Sequence, residues 1–157
     1  MGLVLWCRDV PLEVTDNEIL IRAVTRFHLE KGKPAPQLFL NDNGVSVSRR
    51  SWITPTFAKI HAKLLVQRPE NPYKGLAFIS AQAVRNQKQG WDVKDSRSEF
   101  LAHADIVHPT LKRPAPREAL DPRVAKAIRA QAKLIANAAK FVEDPVPDAC
   151  QWRGGEG

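Results

Sequence analysis

Between Pro122 and Val142 the chain has no glycine, no further proline and no acidic residue. A stretch without breakers, opened by Asp121 and Pro122, predicts a helix. The Asp121 carboxylate would cap it, with proline in the first turn, where its missing N–H costs nothing. At about 100° per residue, Val124, Ile128, Ile135, Ala138 and Val142 gather on one face. Lys126, Arg129, Lys133 and Lys140 fall within roughly 60° on the opposite face. The apolar stripe has to be buried against something, so the preceding residues must supply a packing surface. A chain of 157 residues can do so without disulfide or metal.

Upstream, Thr15-Asp16-Asn17-Glu18 has the form of a capping box, with Thr and Glu each closing a free N–H of a helix start. It predicts a helix with Leu20, Ala23, Val24 and Phe27 on one face, ended by Lys31-Gly32-Lys33-Pro34. Gln37 to Leu40 reads as a short strand, and Asn41-Asp42-Asn43-Gly44 as a turn. Val45 to Ser48 alternates with period two, as a half-buried strand does. Thr54-Pro55 opens a second helix to about Gln67, with Phe57, Ile60, His61 and Leu64 on its apolar face and Lys59 and Lys63 opposite.

Gly75 to Ile79 is a buried-strand pattern, and Ser80 caps a short helix to about Gln89, with Gly90 at its exit. Trp91 to Val93 and Ala102 to His108 read as further extended pieces. Pro109, Pro114, Pro116 and Pro122 make the next stretch a surface connection. The expected fold class is α+β, a small mixed sheet flanked by helices with a long C-terminal amphipathic basic helix. The expected organisation is a single domain over 1–142, followed by an acidic Pro/Gly-rich tail over 143–157 that packs loosely. A doubly wound nucleotide-binding fold is excluded, because no glycine-rich turn joins a strand to a helix.

The formal charge is +7, and it is unevenly placed. Residues 43–74 carry a net +5 and residues 109–142 a net +6, with a neutral stretch between them and a net −3 in the tail. No apolar run is long enough to cross a bilayer. The start has no basic region ahead of a hydrophobic segment, so no signal peptide is expected. Cys7 and Cys150 lie far apart without a CxxC partner and are expected to be free thiols of a cytoplasmic protein.

Within residues 44–106 four short motifs recur together: Gly44-Val45-Ser46-Val47, Ser46-Val47-Ser48-Arg49, Gly75-Leu76-Ala77-Phe78-Ile79-Ser80 and Ala102-His103-Ala104-Asp105-Ile106. On these residues the middle of the chain resembles a set of small uncharacterised bacterial and phage-associated proteins. The resemblance implies an α+β middle and an accessory place in a phage-conflict (defence) system; it implies no activity.

Three constellations could carry function. The basic helix face could neutralise phosphates, and Arg49 and Arg50 beside Trp52 could hold a phosphate while the ring stacks on a base. The candidate nucleic-acid-binding residues are therefore Arg49, Arg50, Lys126, Arg129, Lys133 and Lys140. Alternatively the same helix docks on an acidic protein partner as a subunit of a larger complex. The enzymatic alternative is a transferase or nuclease using Arg49, Glu99 and His103 as anion holder, acid and base. His103 and His108, five apart on a strand, point to opposite faces and cannot share a metal. No HExxH, CxxC or DxD motif is present, so neither a metal nor a cofactor is expected. The leading expectation is a non-enzymatic nucleic-acid-associated protein.

Overall fold

The computed structural model describes residues 10–41, 44–97, 100–111 and 121–156. Among these residues, six strands form one sheet: β1 (Ile19–Thr25), β4 (Val45–Arg49), β5 (Tyr73–Ser80), β6 (Asp92–Asp95), β7 (His103–Val107) and β8 (Lys140–Glu143). Their order across the sheet is β6-β7-β4-β1-β5-β8. Every pairing is antiparallel, so the α+β class holds but the sheet is not mixed. A separate two-stranded hairpin joins β2 (Leu29–Glu30) to β3 (Lys33–Pro34). Among the described residues, three helices accompany the sheet: α1 (Pro55–His61), α2 (Ala81–Arg85) and α3 (Pro122–Ala138).

The sheet separates two cores. On one side Leu20, Val24, Val47, Ala77, Ile79 and Ile106 pack with Ile128, Ala132, Ile135 and Ala136 of α3. On the other, Ile21, Tyr73, Leu76 and Phe78 pack with Ala58 and Ala62 from α1 and the turn after it. Strand alternation sends neighbouring side chains to opposite sides, so a central strand must be apolar at nearly every position.

That requirement explains why the first expected helix is a strand. Ile19 to Thr25 pairs with both β4 and β5, and its faces are buried in both cores. A continuous apolar run fits the helical and the two-sided strand pattern alike. Only half of the capping box forms, and it closes an isolated turn: Thr15 N–H donates to Glu18 Oε2 at 2.8 Å, but the Glu18 N–H goes to the Thr15 carbonyl at 3.1 Å rather than to its hydroxyl. Glu18 then serves as counter-ion to a buried arginine, and the chain runs on extended. Pro36–Phe39 forms a 3-10 turn where a strand was expected. Its consecutive Leu38 and Phe39 are both fully buried, which an alternating strand with one covered face does not allow.

Helix α1 starts as expected, with the Thr54 hydroxyl accepting the Phe57 N–H at 3.2 Å. It then continues as a π-helical turn over Ala62–Val66. Its buried face is not the expected one. Ala58, Lys59 and Ala62 face inward, while Phe57 is 42%, Ile60 40% and Leu64 75% exposed. Small alanines let the helix approach the sheet closely. Lys59 can be buried because its Nζ donates to Asp144 Oδ2 at 2.8 Å, Val146 O at 2.8 Å and Gln151 O at 3.0 Å. The acidic tail is therefore tied down rather than loose. Trp152 packs on Phe78 with ring centroids 6.4 Å apart, and its backbone N–H donates to Thr56 Oγ1 at 3.1 Å.

Helix α2 starts on the expected cap, Ala83 N–H donating to Ser80 Oγ at 3.1 Å, but ends at Arg85. Helix α3 begins at its expected cap, with Arg123 N–H donating to Asp121 Oδ1 at 2.8 Å. It ends at Ala138, short of Val142. Lys140–Glu143 instead pairs with β5 and completes the sheet edge, placing Phe141 against the α3 core and Val142 against the α1 core. Gly75 makes this edge fit: a Cβ there would overlap the Val142 carbonyl and lie 3.0 Å from the Phe141 ring. The connection at 112–120 lies outside the described residues.

Candidate functional site

Arg49 is fully buried, and its five N–H donors are all engaged. Nε and Nη2 donate to the two Glu18 oxygens at 2.8 and 2.9 Å, and Nη1 to Asp95 Oδ2 at 2.9 Å. Pro11 O and Glu13 O take the remaining two. The Trp52 ring lies 4.7 Å from the guanidinium carbon, so arginine rather than a base stacks there. Burial pushes the Asp95 carboxyl up, but Arg97 and Arg49 hold it below the usual carboxylate range overall. Arg50 lies at the surface, paired with Glu156. The expected phosphate clamp of Arg49, Arg50 and Trp52 is thus a set of internal contacts.

Arg49 and His103 do not converge. His103 stands opposite Ser48 in the β4–β7 ladder, so Arg49, the next residue, points to the other side of the sheet. Glu99, the third member of that set, and Cys7 lie outside the described residues. Cys150 is an exposed free thiol. His108 contacts Trp91 with ring centroids 5.1 Å apart and accepts the Thr110 N–H at 3.2 Å; burial lowers its pKa, opposed by a hydrogen bond at Gln89. Among the described residues, no group of three or more His, Cys, Asp or Glu is placed to hold a metal. No described helix is long and apolar enough to cross a membrane.

The basic face of α3 is where the sequence places it, with one change. Lys126, Arg129 and Lys133 are exposed, and none pairs with a carboxylate among the described residues. Their arc is opposite the buried Ile128, Ala132 and Ile135, as helical spacing requires. Lys140 leaves this group: on β8 it stands opposite Phe78 and projects toward the α1 side of the sheet.

The α1 side carries a second arrangement that sequence reasoning missed. Ser46 and His103 meet there, Ser46 Oγ lying within hydrogen-bond reach of His103 Nε2. His103 Nδ1 is 2.7 Å from Ser96 O, a group that only accepts, so Nδ1 carries the ring proton and Nε2 is left to accept from Ser46. Asp105 Oδ1 lies 4.0 Å from Nε2. Ser46 also lines a groove of about 620 Å³ with Phe57, His61, Leu65, Val66 and Phe100. The Phe100 ring makes edge contacts with Phe57, His61 and His103, at centroid distances of 5.3, 5.2 and 4.9 Å. The two partners are 57 residues apart, and only the β4–β7 register brings them together.

Comparison with protein-family models, curated proteins and solved structures finds no match to this chain.

Proposed function

We propose that the protein contacts a polyanion, nucleic acid in the first instance, through the exposed face of α3. The observation that carries this reading is the grouping of Lys126, Arg129 and Lys133 on one exposed arc without carboxylate partners among the described residues. Lys126 and Lys133 are seven positions apart, about 10 Å of helix at 1.5 Å per residue, a length over which one duplex strand presents about three phosphates. A helix face selected for its own stability would carry Glu at i,i+4 from such cations, and α3 has none. The accessory role in a phage-conflict system suggested by the sequence resemblance is the setting we propose for this contact.

A second reading rests on Leu134, 55% exposed on the same helix, with Val124 at 41%. Apolar side chains beside cations suit an acidic protein partner as well as a nucleic acid. Reversing Lys126, Arg129 and Lys133 to Glu separates the alternatives when binding to labelled duplex and single strands is measured on folded protein. Loss of nucleic-acid binding supports the first reading. A wild-type protein that ignores nucleic acid at low salt, yet co-purifies with one stoichiometric acidic protein, supports the second.

A further inference from the structure

On the opposite side of the sheet from α3, we propose that Ser46 is a nucleophile activated by His103, and that the groove beside it takes a carboxylic ester with an apolar acyl group. A serine becomes nucleophilic when a base within hydrogen-bond reach accepts its proton and a third group fixes that base. Here His103 Nε2 faces Ser46 Oγ, and Ser96 O fixes the tautomer through Nδ1–H at 2.7 Å. His103 is almost wholly buried, held between strand β7 and the Phe100 ring, whereas Ser46 is only half-buried and opens into the groove. The base is rigid and the nucleophile reachable. Asp105 Oδ1, 4.0 Å from Nε2, lies where it favours the imidazolium formed on proton transfer.

The volume of about 620 Å³ is that of a small-molecule site, and its walls of Phe57, Leu65, Val66 and Phe100 suit an uncharged apolar group. His61 also lines the groove, and a donor to the developing oxyanion would come from it. In the first step Oγ bonds to the ester carbonyl carbon while its proton passes to Nε2. The carbon–oxygen bond to the alcohol breaks, and the departing alkoxide takes that proton. In the second, water gives a proton to Nε2 and attacks the acyl-Ser46 carbonyl. The acid is released and Ser46 regains its hydrogen. This reading goes beyond polyanion contact, and either can fail alone.

The test uses the full chain with an alkyl fluorophosphonate, followed by peptide mass mapping, and with 4-nitrophenyl esters of increasing acyl length. The expected result is an adduct on Ser46 and ester turnover that rises with acyl length and is lost in Ser46→Ala. His103→Gln should slow labelling by about 10²-fold or more. Because His103 is buried, that variant could unfold, so Ser46→Cys supplies a second measurement. Its thiol, beside His103, should react with iodoacetamide at least about ten-fold faster than exposed Cys150 in the same molecule. Folded wild type that takes no adduct, or takes it elsewhere, overturns the proposal. So does a thiol in Ser46→Cys that reacts no faster than Cys150, which would leave His103 as a hydrogen-bonded core residue.

Discussion

The Arg49 guanidinium and the Glu18 carboxylate form a two-point ion pair, Nε to Oε1 at 2.8 Å and Nη2 to Oε2 at 2.9 Å, with Arg49 fully buried. This pair joins the turn before β1 to the end of β4. With Asp95 on the remaining arm, it also holds β6.

Replacing Arg49 by Met would leave Glu18 as a buried carboxylate without its cation, while Asp95 would keep only Arg97 of its two. Breaking one side of such a pair costs about 3–5 kcal/mol. Urea unfolding of Arg49→Met should show a loss of that order. Nucleic-acid binding by the folded fraction should not change, because Arg49 reaches no surface. A stable variant with weakened binding would return Arg49 to the interface.

Lys59 and Asp144 make a second buried pair, 2.8 Å apart, and Tyr73 OH donates to the same carboxylate at 2.8 Å. Burial pushes the Asp144 carboxyl up, but Lys59, the Val146 N–H and the Tyr73 hydroxyl hold it below the usual range overall. Asp144→Ala leaves the Lys59 ammonium with two carbonyls and no counter-charge. The expected cost is again about 3–5 kcal/mol. The segment from Pro145 onward should also loosen, so trypsin should cut after Arg153 faster than in wild type under native conditions. Unchanged cleavage would mean that Trp152 and Glu156 hold the tail without the ion pair.

Acid should destabilise the fold in two stages. His28 Nδ1 accepts the Thr25 N–H at 3.1 Å, and burial together with the Arg22 charge lowers its pKa to about 3. An unfolded histidine takes its proton near 6.5, so between about 6.5 and 3 the unfolded chain binds more protons and stability is lost as the pH falls. Asp144 and Asp95, held below the usual carboxylate range overall, add a second loss as pH drops below about 4. Thermal midpoints should be highest near neutrality, decline from about pH 6.5 and steepen below about 4. His28→Gln should flatten the decline between pH 6.5 and 4 while leaving the acid limb. A decline that persists unchanged would assign it to other groups.

How much of this was legible depended on how far apart the deciding residues lie in sequence. Strand β4, the Thr54 and Ser80 caps and the start of α3 depend on neighbours within a few positions, and periodicity or capping chemistry reveals them. Ile19 to Thr25 did not reveal itself, because a strand buried on both faces has no alternation to read. Lys59 looked like a solvated lysine, since its partners come from the tail, up to 92 residues away. The end of α3 was missed because Lys140-Phe141-Val142-Glu143 continues a helical pattern equally well. Only the free edge of β5 turns it into a strand. At the sites, the α3 face was readable from one helix, whereas the Ser46–His103 contact exists only through strand register.

The central claim is that three side chains of α3 meet a polyanion, and salt dependence tests it most directly. Each cation that neutralises one phosphate of a duplex contributes about 0.9 to the slope of log affinity against log salt. Neutralising Lys126, Arg129 and Lys133 to Gln should lower that slope by roughly 0.9 per residue, with thermal stability nearly unchanged at these exposed positions. Lys140→Gln, on the other side of the sheet, should leave the slope as it is. A folded triple variant with the wild-type affinity and slope would contradict the account and make the α3 face a solvated surface.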